Sequence, residues 1–407
     1  MRTFVVCAVL AAAALPAGAR AQTVALTEAE VLAQLGAGSA RVQAARAAID
    51  VARADVLAAG RWPNPRVTFN REAVAGVAED MLMVSQVLAV TGRRRLEVSA
   101  ATSRVEASAQ RAEDRIRRVR ADVRLAFMEL WAAQEREREL ARNRDRLETL
   151  AGLLGTREAA GDAAGFDRLR AEREVMDVEA SRATATADRA QAQAVLASFL
   201  SPGREPAVLE AVRAATAGGA LPTVDELMAR AEMTRGDLIA LEREVDAAGF
   251  AEQAAGRRVR PEPEVVAGTK TSNAAGGDVG SIVSVHLTVP LFDRGGPERA
   301  AAQARGRQAR AEGDALRQSI RGQVAAWRAA LIERRAIAER HRGALAQGAD
   351  QIERIAQISY EAGERGILEL LDAFRTASTA RVRQVSLDAA VREAEVELEF
   401  VSGWEIP

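Results

Sequence analysis

"YEAGERGILELLDAFR", Tyr360 to Arg375, interrupts a long Ala-, Arg- and Glu-rich run at two glycines and resumes with Glu369 and Asp372 among leucines. Far upstream, "REAAGDAAGFDRLRAE", Arg157 to Glu172, follows the same scheme: an Ala-Gly pair, an acid, a bulky apolar residue, an acid and a leucine. Glycine takes backbone angles that other residues avoid, so it is where a helix can turn. Both stretches read as tips of helical hairpins. A tip written twice predicts a duplicated fold.

Outward from the tips, each half follows one plan. "LTEAEVLAQL" from Leu26 and "PTVDELMARA" from Pro222 are acid-rich helix starts, and each helix is expected to continue to a proline pair, Pro63/Pro65 or Pro261/Pro263. Proline stops a helix and biases the residue before it toward extended backbone, so these pairs are helix-to-strand switches. In the first half "RVTFNREA" and "DMLMVSQVLAV" follow, in the second "EVVAGTKT" and "SIVSVHLTVPLF", with Ile282, Val285, Leu287 and Val289 expected on one apolar face. Strands of roughly ten residues match what a tilted barrel strand needs to cross a bilayer. Four strands cannot close a barrel, and an open edge is forbidden in lipid, so spanning would require several chains to share one barrel.

Each hairpin leads into a very long helix. Ile116, Val119, Val123, Phe127 and Leu130 in one, and Ile320, Val324, Trp327 and Leu331 in the other, recur at threes and fours, the coiled-coil spacing. Roughly sixty residues give a rod of about 90 Å. After the Ala-Gly break the chain returns as a second helix. The expected organisation is a signal peptide over 1–21, a first repeat over 22–200, a linker over 201–222 and a second repeat over 223–407. The strand hairpins fall near 65–90 and 262–292, and the tips near 157–167 and 360–368. The fold class is mainly α with a small β part.

The N-terminus fits export. Arg2, an apolar run from Phe4 to Leu15, Pro16 and an A-x-A site at Ala19–Ala21 form the pattern of a cleaved secretory signal. Cys7, the only cysteine, lies inside it, so the mature chain would have no disulfide, thiolate metal site or thiol nucleophile. Hydrophobic residues make up 48%, aromatics 3% and charged residues 28%, with a net charge of −1. That balance points to long helices and gives no basic field for nucleic acid. Neither histidine, His286 or His341, stands in a catalytic or metal-ligand spacing, and no phosphate loop or nucleophile elbow occurs. The reading is not an enzyme, with no cofactor and no metal site.

Helix, strand hairpin, long helix, tip and return helix, twice after a signal, resembles the TolC family of outer-membrane efflux channels over essentially the whole mature chain. "PNP", "SQVLAVTGRRR" (Ser85–Arg95), "VPLFDRGGPERAAAQA" (Val289–Ala304) and the opening stretch carry the resemblance. It implies a homotrimer in the outer membrane of a Gram-negative bacterium. Four strands per chain would build a twelve-stranded barrel, and the helices a periplasmic tunnel. It also implies a periplasmic gate, onto which Asp167, Tyr360, Arg365, Glu369 and Asp372 map, with Asp167 accepting bonds from Tyr360 and Arg365 when closed. Three copies of Glu369 and Asp372 would gather negative charge on one axis and favour cations. Glu158 stands where an aromatic would mirror Tyr360, so the tip network is asymmetric, and the extra Gly165 makes the first tip more mobile.

The implied partners are an adapter protein docking around Gly161 and Gly363, an inner-membrane pump of the proton-driven RND type, and outer-membrane lipid. Strand and tip motifs lie closer to the branch serving heavy-metal cation pumps. A drug-efflux or type I secretion channel shares the design. A periplasmic coiled-coil adapter or structural protein is the rival that explains the rods without the barrel.

Overall fold

The computed structural model describes residues 24–36, 39–161, 165–200, 205–213 and 219–405. The expected signal segment, part of the expected linker and the turn at 162–164 lie outside them. The chain runs β1 (Val24–Leu26), α1 (Glu28–Gln34), α2 (Ala40–Gly60), β2 (Arg66–Val74), β3 (Val77–Val87), α3 (Arg93–Ala160) and α4 (Gly165–Ala197). It then repeats the order with β4 (Leu209–Ala211), α5 (Val224–Thr234), α6 (Gly236–Gly256), β5 (Pro263–Ser272), β6 (Asp278–Leu287), α7 (Gly296–Glu361) and α8 (Ile367–Ser402). Among the described residues no helix is long and apolar enough to cross a membrane.

Local chemistry sets the element starts. Thr27 and Thr223 each cap a helix with their hydroxyl, and Glu30 and Glu226 reach back to the cap, a reciprocal pairing that satisfies otherwise orphaned N–H groups. The expected single opening helix is in fact two in each half. In the second half it breaks at Arg235, which is extended, because Gly236 then lies against α3: a Cβ there would sit 2.2 Å from the Gln110 carbonyl oxygen. Only glycine lets the two backbones approach so closely. Two short strands were not anticipated: β1 pairs in parallel with β4, Val24 opposite Leu209, and so ties the start of the chain to the segment between the repeats.

The main sheet is an antiparallel meander in the order β2-β3-β5-β6. Its register places Val67 opposite Val84, Phe69 opposite Leu82, Val84 opposite Ala267 and Ala267 opposite Val283. One face therefore carries Val67, Phe69, Leu82, Val84, Val265, Ala267, Val283, Val285 and Leu287. The other carries Thr68, Asn70, Glu72, Glu79, Ser85, Glu264, Lys270, Ser284 and His286. The apolar face is the more exposed: Val283 is 77% and Phe69 63% accessible, whereas Ser85 on the polar face is 9%. Ile282, expected on the apolar face, belongs to the other one. It pairs with Gly268, whose missing side chain leaves room beside Met83.

Below the sheet, α3 and α7 are antiparallel to α4 and α8, and the anticipated seams are the cores. Ile116, Val123, Phe127 and Leu130 are buried in α3, and Ile320, Val324 and Leu331 in α7, with Val119 and Trp327 half-covered at their margins. Arginine–carboxylate clasps join the repeats where the cores are shallow. Arg124 of α3 bonds Glu28 and Glu399, and Arg392 of α8 reaches Glu28 at 2.7 Å. Burial alone would raise the Glu28 carboxyl, but Arg392 and Arg124 outweigh it and hold it below the ordinary glutamate value.

A carboxyl depressed in the folded state stabilises it above the unfolded pKa, and that contribution is lost as pH falls through the folded one. Glu28→Gln should cost on the order of 1 kcal/mol at pH 7. The difference from the native chain should shrink as pH is lowered below about 4.3. Urea titrations of both chains across that range check it.

Candidate functional site

The tips form where glycine permits a left-handed residue. Gly161 ends α3 at φ +81°, and Gly363 follows α7 at φ +74°. After α7 the Glu364 N–H donates to the Ser359 carbonyl at 2.8 Å and the Gly363 N–H to the Tyr360 carbonyl at 3.0 Å, which closes the helix end. In the first tip Arg168 donates to Glu158 at 2.5 Å and to Glu172 at 2.7 Å. Glu158, read as the asymmetric counterpart of Tyr360, thus pins its own hairpin. Gly165 begins α4 in a tight spot, since a Cβ there would lie 2.4 Å from a Glu158 oxygen.

Arg365, Glu369 and Asp372 line one exposed groove with Ile352, Ile355 and Thr376. The spacing explains it: 365, 369, 372 and 376 fall on one stripe, while Ile367, Leu370, Leu371 and Phe374 turn inward. Tyr360 is on the other side, half-buried in a groove with Arg146, Leu150, Glu353 and Phe374, and the Arg157 guanidinium stands 6.0 Å from its ring. Among the described residues of one protomer, Asp167 forms no bond with Tyr360 or Arg365. A single chain therefore brings Arg365, Glu369 and Asp372 together and leaves Asp167 and Tyr360 apart from them.

Sequence reasoning missed the charges that join the two hairpins. Glu353 of α7 accepts from Arg146 of α3 at 2.9 Å and from Arg381 of α8 at 2.9 Å, and Arg381 also reaches Asp350 at 2.6 Å. Bonds to Glu353 hold Arg381 above the usual arginine range, against the opposing effect of burial. Arg375 of α8 donates to Glu174 of α4 at 2.6 Å and 3.0 Å, a two-pronged clamp across the repeats. Under these pairs Leu147, Leu150, Leu154, Val178, Leu370, Leu371 and Phe374 share one core.

The chain thus sets an amphipathic meander, whose exposed face is apolar, on paired helical rods. Residues 227–403 match the model of the outer membrane efflux protein family. The cobalt-zinc-cadmium resistance protein CzcC of Cupriavidus metallidurans is 25% identical over 381 residues, 92% of this chain and 89% of that protein. In structure the chain is similar to a membrane protein from Pseudomonas aeruginosa, with 21% identity and a TM-score of 0.75 over 92% of this chain and 93% of that one. It is also similar to the outer membrane protein VceC of Vibrio cholerae, with 17% identity and a TM-score of 0.74 over 93% and 97%. The family match and the likeness to CzcC both point to an outer-membrane efflux component.

Glu353 is the hub of the inter-repeat charges, its side chain 12% exposed. Glu353→Gln should lower stability by about 2 kcal/mol, between the cost of losing an exposed pair and that of losing a buried one. Proteolysis should then cut first near Gly363, above a core that remains folded by circular dichroism.

Proposed function

We propose that three copies of this chain form one gated duct, a twelve-stranded barrel above a helical tunnel, which passes heavy-metal cations from an inner-membrane pump to the outside. The carrying observation is the sheet. Its exposed face is a band of Val, Leu and Phe, and β2 and β6 each leave one edge unpaired. In lipid every backbone donor and acceptor needs a partner, so the edge of one copy is completed by the edge of the next.

The helices support the same closure. In the second repeat α6 packs on both α7 and α3, whereas α2, its counterpart, packs extensively on α3 alone. Val51 and Leu57 of α2 are left 69% and 77% exposed. Near the tips Phe166, Leu169 and Met176 of α4 and Ile352, Ile355 and Ile358 of α7 are likewise uncovered. A second copy placed by the repeat relation supplies the missing neighbour for each surface.

In that assembly the stripe of Arg365, Glu369 and Asp372 is repeated around one axis, and Asp167 lies where a neighbouring copy can be bonded. Exposed pairs are worth about 0–1 kcal/mol each, which suits a latch that must release. The duct is passive, and selection and energy come from the pump and adapter, the adapter docking around Gly161 and Gly363. The metal assignment rests on the resemblance to the cobalt-zinc-cadmium resistance protein. A periplasmic adapter is disfavoured, because an adapter has no use for an exposed apolar sheet face.

Planar-bilayer recordings of the purified chain, paired with its mass in detergent, test this reading. The expected result is a trimer with a small, cation-favouring conductance that widens in Arg365→Glu. A monomer without conductance contradicts it. Val283→Arg, near the middle of the apolar face, should cost about 2–4 kcal/mol of membrane insertion, whereas Ser284→Arg on the polar face should be tolerated. Equal loss of membrane-inserted protein in both variants overturns the assignment of faces.

A further inference from the structure

Where the sheet meets the helices, the chain gathers positive charge that the carboxylates among the described residues neutralise only in part. Arg93, Arg94 and Arg95 occupy the first turn of α3, and no acid accompanies them there. Cations are unfavourable at a helix N-terminus, where the dipole is positive and the backbone N–H groups point outward, so three in succession need an anion. Among the described residues only Arg93 has one: it pairs with Glu97 at 3.0 Å and Glu262 at 3.1 Å. The Arg94 guanidinium lies over the Trp62 ring, 4.4 Å from its centroid, and its Nη1 is buried without an acceptor among the described residues. Arg95 and Arg61, both exposed, take part in no ion pair among the described residues.

The surroundings say what kind of anion fits. Trp62 is 53% exposed beside Pro63, whose carbonyl accepts from Gln86 at 3.0 Å, and Gln86 belongs to the same sheet face as Leu82 and Val84. The arginines therefore stand at the foot of the apolar face, one step beyond its hydrocarbon-matching band. Phe292, 99% exposed, and Leu291 extend the apolar surface at the same end of the sheet. A tryptophan at an apolar boundary with unneutralised guanidinium groups just past it matches a headgroup layer, with acyl chains on one side and a phosphate on the other. A helix N-terminus and planar guanidinium donors suit phosphate oxygens.

We infer that Arg61, Arg94 and Arg95, backed by Trp62 at the N-terminus of α3, form a binding site for the phosphate of an anionic glycerophospholipid in the periplasmic leaflet. The site rests on the reading of the sheet as part of a membrane barrel, and it adds a preference for one lipid class. Bound lipid would anchor the joint between sheet and tunnel at a fixed depth.

The test is native mass spectrometry of the full mature protein from detergent micelles doped with phosphatidylglycerol or with phosphatidylcholine, alongside the Arg94→Gln/Arg95→Gln double variant. Insertion into liposomes is measured on the same samples. Phosphatidylglycerol should remain bound in preference to phosphatidylcholine. The double variant should lose that preference by about tenfold or more while still inserting. Inorganic phosphate at matched concentration should not displace the lipid; displacement would assign the site to free phosphate and overturn the lipid reading. Equal retention of both lipids, or an unchanged preference in the double variant, overturns the site and leaves the barrel intact. A native chain that fails to enter liposomes overturns the barrel and this inference together.

Discussion

Backbone hydrogen bonding at the edges of one small sheet governs the rest of this molecule. A strand edge in water can bond solvent, but in hydrocarbon each orphaned N–H or C=O costs several kcal/mol. The four strands present an apolar face to their surroundings and leave β2 and β6 open. A sheet with that face is comfortable only in lipid, and in lipid it is incomplete by itself. The duplicated plan answers both demands. Each repeat contributes one hairpin to the sheet and one helical hairpin beneath it, so in the proposed assembly one rotation would complete both barrel and tunnel.

Small residues and arginines share the work below the sheet. Alanine seams let the rods approach closely, yet they bury little area, and the cores are carried by a few large residues such as Phe127, Leu130, Ile320 and Leu331. Between them, arginine–carboxylate clasps fix which rod lies beside which: Arg118 on Glu397, Arg124 on Glu28, Arg146 on Glu353 and Arg375 on Glu174. Partly exposed pairs add little stability. Their value is in register, since a misplaced rod would leave charges facing one another unpaired. Such clasps can also be broken singly, a property that the gate proposed at the tips would require.

Much of this was legible in the chain. The proline pairs at 63/65 and 261/263 mark the helix-to-strand switches, and the hairpins lie at β2–β3 and β5–β6 as expected. Helix periodicity found the buried seams because the rods are long enough for the pattern to repeat many times. Alternation along β6 leaves two choices for Ile282, and its pairing with Gly268 sets it on the face opposite the apolar band. The pair β1 and β4 escaped notice because three residues carry no periodic signal. Glu353 and Arg146 escaped because each is an ordinary surface charge on its own helix; their meeting depends on the packing of two rods far apart in sequence.

The closure of β2 against β6 of another copy is the claim on which the proposed duct stands. The mature chain as read carries no cysteine, so Asn70→Cys on β2 and Ser284→Cys on β6 would give a protein with one thiol at each edge. It should be treated in membranes with a short bis-maleimide and run under denaturing conditions. The account predicts a covalent ladder that stops at three chains, formed only when both thiols are present. A product that stays at one chain, with the thiols joined within it or unreacted, would contradict the shared barrel.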